Sequence, residues 1–223
     1  MRKDETTATR VLIVDDHPFM LRGLAQTIND QPDMLVCAEA GSIPEALEMA
    51  AAHQPDLAVV DISLGEGSGI ELVKEIKERW PNTKILVSSM HDESLFAERA
   101  LRAGALGYVN KGAPPDAFVA ALQRVNSGQV YLSERMTNRM LDKMLTDKDE
   151  QHRSPIEKLS NRELEVFEMI GKGLVTKQIA ARLSLSPKTI ETYREHIKSK
   201  LNLSNASEMT RHAVQWVLEQ GRQ

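Results

Sequence analysis

The chain has one cysteine, Cys37, in an apolar, strand-like run. No disulfide framework and no cysteine metal cluster can be built from it. No apolar stretch approaches the roughly 20 residues that span a bilayer. The opening run, Met1 to Arg10, lacks the apolar centre of a secretory signal. Internal repeats and low-complexity tracts are also missing. These absences leave a cytoplasmic globular protein as the expectation. A length of 223 residues allows two domains, each burying its own core.

The formal net charge of −4 conceals an asymmetry. From Arg153 onward, 12 Lys and Arg face 8 Asp and Glu, a net of +4, leaving 16 against 24, a net of −8, in residues 1 to 152. An acidic front and a basic back suggest separate tasks, and a basic half suits a phosphate-backbone partner.

Residues 10 to 127 alternate apolar runs with amphipathic segments. Strands are expected at 11–14, 35–38, 56–61, 85–89 and 106–109, and helices over 17–28, 43–52, 69–79, 93–103 and 115–126. The run Leu57 to Val60 has no polar alternation, as suits a strand covered on both faces. Strands alternating with helices predict an α/β fold, a doubly wound five-stranded parallel sheet. In such a sheet ligands bind beyond the carboxyl ends of the strands. The residues standing there are Asp15 and Asp16, Asp61, Ser88 and Ser89, and Lys111.

Three converging carboxylates repel one another and require a cation. A hard divalent ion with oxygen ligands fits, and Mg²⁺ keeps open positions for water or phosphate oxygens. A lysine and a hydroxyl beside it supply donors for a phosphoryl group. The set describes phosphoryl transfer to a carboxylate, with Asp61 as nucleophile.

At this point the chain resembles the receiver domain of two-component response regulators. The resemblance rests on Val14-Asp15-Asp16, Val60-Asp61-Ile62, the hydroxyl closing the fourth strand, and Gly107-Tyr108-Val109-Asn110-Lys111. It implies a flavodoxin-like sheet with Asp61 as phosphoacceptor and Asp16 as a direct Mg²⁺ ligand. Asp15 would act on the metal through water, and the backbone carbonyl of Ser63 would complete the protein ligands. Lys111 would pair with the phosphoryl group, Ser89 would supply the switch hydroxyl, and Tyr108 would be the aromatic that follows it. Two positions depart from relatives, Gly65 and Gly112, where prolines are common; both bear on loop stiffness. His91, alone in a loop, reads as solvated surface. The run Gly65 to Gly69 misses the dinucleotide fingerprint in spacing and in place, and reads as a flexible turn.

Ser133 is an expected N-cap for a helix from Glu134 to about Leu145. Its stripe of Met136, Met140 and Met144, with Leu141 and Leu145, suits packing onto the first domain. Residues 146–154 are polar and read as a flexible linker. The expected layout is 8–128 for the receiver, 129–154 for connector helix and linker, and 155–223 for a second, all-α domain.

That second domain shows four helical patterns. Ser160 and Glu163 form a Ser-x-x-Glu capping box, Thr176 is an expected cap for the second helix, and Ser186 with Pro187 opens the third. Two helices across a three-residue turn make a helix-turn-helix, whose second member reads DNA. Ile190, Tyr193 or Ile197, and Leu201 point inward by spacing. Residues 159–203 resemble the LuxR-type helix-turn-helix of NarL/FixJ response regulators, through Leu159 to Val166, Lys177 to Ala180 and Lys188 to Arg194. In relatives the fourth helix contributes to dimerisation. The base-facing positions that the resemblance implies fall on Glu191, Thr192 and Glu195. A glutamate can accept from a cytosine amino group, and Thr192 can touch a thymine methyl. Lys188, Arg194, Lys198 and Lys200 suit phosphate contacts, with Thr189 beside them.

The whole reads as a transcription regulator that binds double-stranded DNA, as a homodimer on paired half-sites. It is switched by Mg²⁺-dependent phosphorylation of Asp61 from a sensor histidine kinase, and is not an enzyme beyond its own phosphorylation and dephosphorylation. The alternatives are a phosphate-independent receiver and a Mg²⁺-dependent phosphohydrolase using an aspartyl phosphate.

Overall fold

The computed structural model describes residues 8–65, 67–146 and 155–221. The linker expected over 146–154 lies outside the described residues but for Thr146. The chain divides into two compact units between Asp142 and Lys143.

In the first unit, β1 (Thr9–Val14), β2 (Met34–Ala40), β3 (Leu57–Val60), β6 (Lys84–Ser89) and β7 (Gly107–Asn110) form one sheet in the order β2-β1-β3-β6-β7. Every pairing in it is parallel. Between them run α1 (Pro18–Asn29), α2 (Ile43–His53), α3 (Gly69–Arg79), α4 (Glu93–Ala103) and α5 (Pro115–Asn126). Strand side chains alternate between the sheet's faces. Val11, Ile13, Leu57, Val59, Leu86 and Val109 pack with Leu24 and Ile28 of α1 and Phe118, Leu122 and Val125 of α5. Helices α2, α3 and α4 line up as neighbours along the opposite face. All four residues of β3 are buried, as expected for a strand covered on both sides.

The turn expected after the third strand is framed by two short strands: β4 (Ser63–Leu64) and β5 (Gly67–Ser68) pair as a small antiparallel hairpin immediately after Asp61. Gly65 turns it with φ +49°, a conformation glycine adopts without a Cβ penalty.

Helix α6 (Glu134–Thr146) opens at Ser133, whose hydroxyl accepts from the Met136 N–H at 3.1 Å. The Ser133 N–H in turn donates to Glu93 Oε1 at 2.9 Å, and Tyr131 lies along the outer edge of β7 through a parallel bridge to Gly107. The apolar stripe is not packed along its length. Met136 is buried, whereas Leu141 and Leu145 are exposed.

The second unit holds α7 (Asn161–Gly171), α8 (Thr176–Arg182), α9 (Pro187–Leu201) and α10 (Ala206–Gly221) after a short 3₁₀ turn, Pro155–Lys158. The capping box at Ser160 and Glu163 forms. Thr176 is not a cap. Val175 holds that position, and the Gln178 side chain accepts its N–H at 3.0 Å. Phe167 and Trp216 pack ring to ring at 5.4 Å, joining α7 to α10. On α9, Ile190 and Ile197 are buried, while Tyr193 and Leu201 stay partly exposed.

Candidate functional site

In a parallel sheet of this order the binding crevice opens where the strand order reverses, beyond β1 and β3. Asp15 and Asp16 follow β1 directly, and Asp61 follows β3. The backbone is fixed at both places. Asp15 N–H donates to the Ala40 carbonyl at 3.0 Å, and Asp61 N–H to the Val14 carbonyl at 2.9 Å. Lys111, after β7, donates its own N–H to the Ser89 carbonyl at 2.9 Å, which aims its side chain from the far wall. Its Nζ stands 2.6 Å from Asp15 Oδ2 and 2.6 Å from Asp61 Oδ2. All three side chains are buried.

Burial pushes the Asp61 carboxyl above its ordinary value, because the charged form loses solvation, and it outweighs the opposing pull of Lys111. Burial alone would depress the Lys111 ammonium, but the Asp61 and Asp15 carboxylates overcome it and hold the lysine above its ordinary value. The lysine therefore remains a cation between two acids.

Asp16 completes the acidic rim. Its Oδ2 accepts from the Gly65 N–H at 3.1 Å, tying the hairpin turn to the acidic loop after β1. His17, which the sequence suggested only as a helix start, lies in the same group. Its N–H donates to Asp15 Oδ1 at 3.0 Å, and its Nδ1 is 2.6 Å from Asp16 Oδ1. The only signal for it in the sequence is its place after two aspartates. Ligand atoms of Asp15, Asp16, His17 and Asp61 all lie within 4.8 Å of one another. Asp15 Oδ2 and Asp16 Oδ1 are buried and accept no well-aligned hydrogen bond, although Lys111 and His17 stand at ion-pair distance. Carboxylate oxygens with unspent lone pairs, converging at the mouth of a crevice, form an acidic pocket able to hold a metal ion.

The switch candidates meet at His91, which is the clearest correction to the sequence. Instead of facing solvent, it is buried. Its Nε2 shares a hydrogen bond with Ser63 Oγ at 3.0 Å, and its ring packs on Phe96 with centroids 4.7 Å apart. Its N–H donates to Ser89 Oγ at 3.3 Å, and its carbonyl accepts from Tyr108 Oη at 2.9 Å and Asn110 Nδ2 at 3.2 Å. One residue thus joins the hairpin after Asp61, the serine closing β6 and the tyrosine of β7. Ser89 and Tyr108 are fully buried, and Ser88 nearly so.

In the second unit α9 presents Lys188, Glu191, Thr192, Glu195 and Lys200 to solvent, with Thr189, Arg194 and Lys198 half-buried. Several are already paired. Thr176 Oγ1 donates to Glu191 Oε1 at 2.7 Å, Lys198 meets Glu195 at 2.8 Å, and Lys200 Nζ donates to Glu163 Oε2 at 2.6 Å.

An acidic phosphoacceptor-type crevice in one unit and a helix-turn-helix in the other define a two-component response regulator that binds DNA. Residues 11–123 match the response regulator receiver domain, and residues 157–213 match the luxR family of bacterial regulatory proteins. The chain belongs to the response regulators that join a receiver to a LuxR-type DNA-binding domain. Among its relatives is the oxygen regulatory protein NreC of Staphylococcus carnosus (strain TM300), 35% identical over 209 residues, covering 92% of this chain and 96% of that protein. A LuxR-family two-component response regulator from Aurantimonas sp. SI85-9A1 is 32% identical with a TM-score of 0.58, covering 62% of this chain and 99% of that one. A structure of two RcsB dimers bound to two parallel DNAs is 25% identical with a TM-score of 0.55, covering 92% of this chain and 96% of that one. Among the described residues no helix is long and apolar enough to cross a membrane.

Proposed function

We propose that Asp61 is the phosphoacceptor through which a partner histidine kinase controls DNA binding by this regulator. The observation that carries the reading is the placement of Lys111 Nζ at 2.6 Å from both Asp15 and Asp61, at the carboxyl ends of the two strands that flank the crevice. A buried ammonium beside a nucleophilic carboxylate gives an incoming phosphoryl oxygen a donor without reorganisation. Asp15, Asp16, Asp61 and the Ser63 carbonyl would hold Mg²⁺, with His17 closing the rim. When bound, that ion would neutralise the acids and balance charge on the phosphoryl oxygens.

The phosphoryl group adds a charge of about −1.5 to −2. It would draw Lys111 from Asp15 and attract the Ser89 hydroxyl. Because the Ser89 hydroxyl also accepts the His91 N–H, and the His91 carbonyl holds Tyr108, that displacement reaches the α4 side of the sheet. Residues 8–128 would act as the receiver, 129–154 as connector and linker, and 155–223 as the DNA-binding domain. Residues of α9 would enter the major groove, with Lys188, Thr189, Arg194, Lys198 and Lys200 on the phosphates and Thr192 and Glu195 among those at base edges. The RcsB dimers on DNA support a homodimer on paired half-sites. Phosphorylation control would then operate in the cytoplasm.

Intact-mass measurement after incubation with acetyl phosphate and Mg²⁺ tests the reading. One phosphoryl group is expected on wild type and none on Asp61→Ala. Equal labelling of both proteins would move the acceptor elsewhere.

A further inference from the structure

Two acids stand on α9 among the residues expected to face bases, and their surroundings treat them differently. Glu195 pairs with Lys198 one turn along the same helix, a surface pair that is weak and readily released. Glu191 is held from another helix. The hydroxyl of Thr176, the first residue of α8, donates to Glu191 Oε1 at 2.7 Å, and Arg194 Nε stands 3.7 Å from Oε2. A hydroxyl that close to a carboxylate makes a charge-assisted hydrogen bond, stronger than a neutral one. Its ends lie on the two helices of the helix-turn-helix, on either side of a turn that runs through Ser184 at φ +54°. A serine in that left-handed conformation is disfavoured locally, so contacts between the helices have to hold the turn.

To accept from a cytosine amino group, Glu191 would have to give up its charge-assisted bond to Thr176, a cost spared to Glu195, which is held only by a surface ion pair. Thr192 meets no such obstacle. Its hydroxyl is used within the helix on the Lys188 carbonyl at 3.1 Å, leaving its methyl for a thymine.

We propose that Glu191 is a positioning residue, which through Thr176 fixes the angle of α9 against α8, and that base readout falls to Thr192 and Glu195. This rests on α9 being the DNA-recognition helix.

The experiment uses the full chain with Mg²⁺ and acetyl phosphate, a duplex carrying the motif that wild type selects from a random library, and all single-base variants of that duplex. Glu191→Gln and Thr176→Ser keep an acceptor and a donor, so both retain the wild-type base profile and lose less affinity than the truncations. Glu191→Ala and Thr176→Val each weaken every duplex by the same factor, about three- to tenfold. The double variant is no weaker than either single one, because both remove the same bond. A change of preference at one base pair in Glu191→Ala or Glu191→Gln, with Thr176→Val unchanged in profile, overturns the proposal. So does multiplicative weakening in the double variant. If circular dichroism shows Thr176→Val unfolded, the base profiles of Glu191→Ala and Glu191→Gln decide alone. A wild type that binds no duplex overturns the DNA reading and this proposal together, whereas an altered profile overturns only the latter.

Discussion

The β-carbon that Gly69 lacks would stand 1.8 Å from the carbonyl oxygen of Asp61. Gly69 also donates its N–H to the Ile62 carbonyl at 2.6 Å, so the start of α3 is pressed against the loop that carries Asp61, the proposed phosphoacceptor. The obstacle is backbone and cannot rotate away. Gly69→Ala is expected to cost about 1–3 kcal/mol or more and to reduce phosphorylation by acetyl phosphate, because the loop must move. Urea denaturation and intact mass report the two effects. Full stability with full phosphorylation would show that the approach is looser than described.

Lys111→Met removes the cation that stands between two buried acids, Asp15 and Asp61. Burial already raises the Asp61 carboxyl, and Lys111 is the main influence opposing it. Without the lysine the carboxyl rises further, so its ionised, nucleophilic form is reached only at higher pH. The rate of phosphorylation by acetyl phosphate in Mg²⁺ is expected to fall by about a hundredfold, and its rise with pH to move upward. An unshifted profile would mean that Lys111 does not act on the Asp61 carboxylate.

Ser63 and His91 share a part-buried link between the hairpin and the β6 to α4 loop. Ser63→Ala deletes only that link and is expected to cost about 1 kcal/mol. His91→Ala also deletes the ring packed on Phe96 and should cost more, about 2–4 kcal/mol. Equal costs from denaturant titration would indicate that the ring contributes nothing beyond its hydrogen bond.

Glu163 joins the cap of α7 to the end of α9. Partial burial would raise its carboxyl, but hydrogen bonds from Lys200 and Ser160 outweigh that and hold it below its ordinary value of 4.5. A depressed carboxyl contributes stability above its ordinary value and loses it as pH falls through the lower, folded value. Unfolding measured from neutral pH down to about 3 should therefore show a stability loss in acid that Glu163→Gln lacks. At neutral pH that variant should be less stable by about 1 kcal/mol, the usual worth of a cap. Identical acid dependence in both proteins would remove Glu163 from the account.

The acids and Lys111 were legible because each closes an apolar run, and a parallel sheet brings all such ends to one edge. Helix limits were legible for the same local reason. Gly69–Arg79, Glu93–Ala103 and Pro187–Leu201 begin and end where caps and spacing predict. His91 was not legible, since its partners Ser63 and Tyr108 stand 28 and 17 residues away, on separate loops and strands. The hairpin after Asp61 was hidden because strands of two residues carry no periodicity. Thr176 looked like a cap by composition alone. The Gln178 side chain reaches back to the Val175 N–H instead, shifting the helix start by one residue and freeing the threonine hydroxyl for Glu191.

The most direct test of the account is the affinity of the full chain for its selected duplex, measured for wild type and Asp61→Ala with and without Mg²⁺ and acetyl phosphate. Tighter binding by wild type alone, and only when both reagents are present, is the predicted result. Equal affinity of the two proteins in every condition would contradict phosphate control through Asp61.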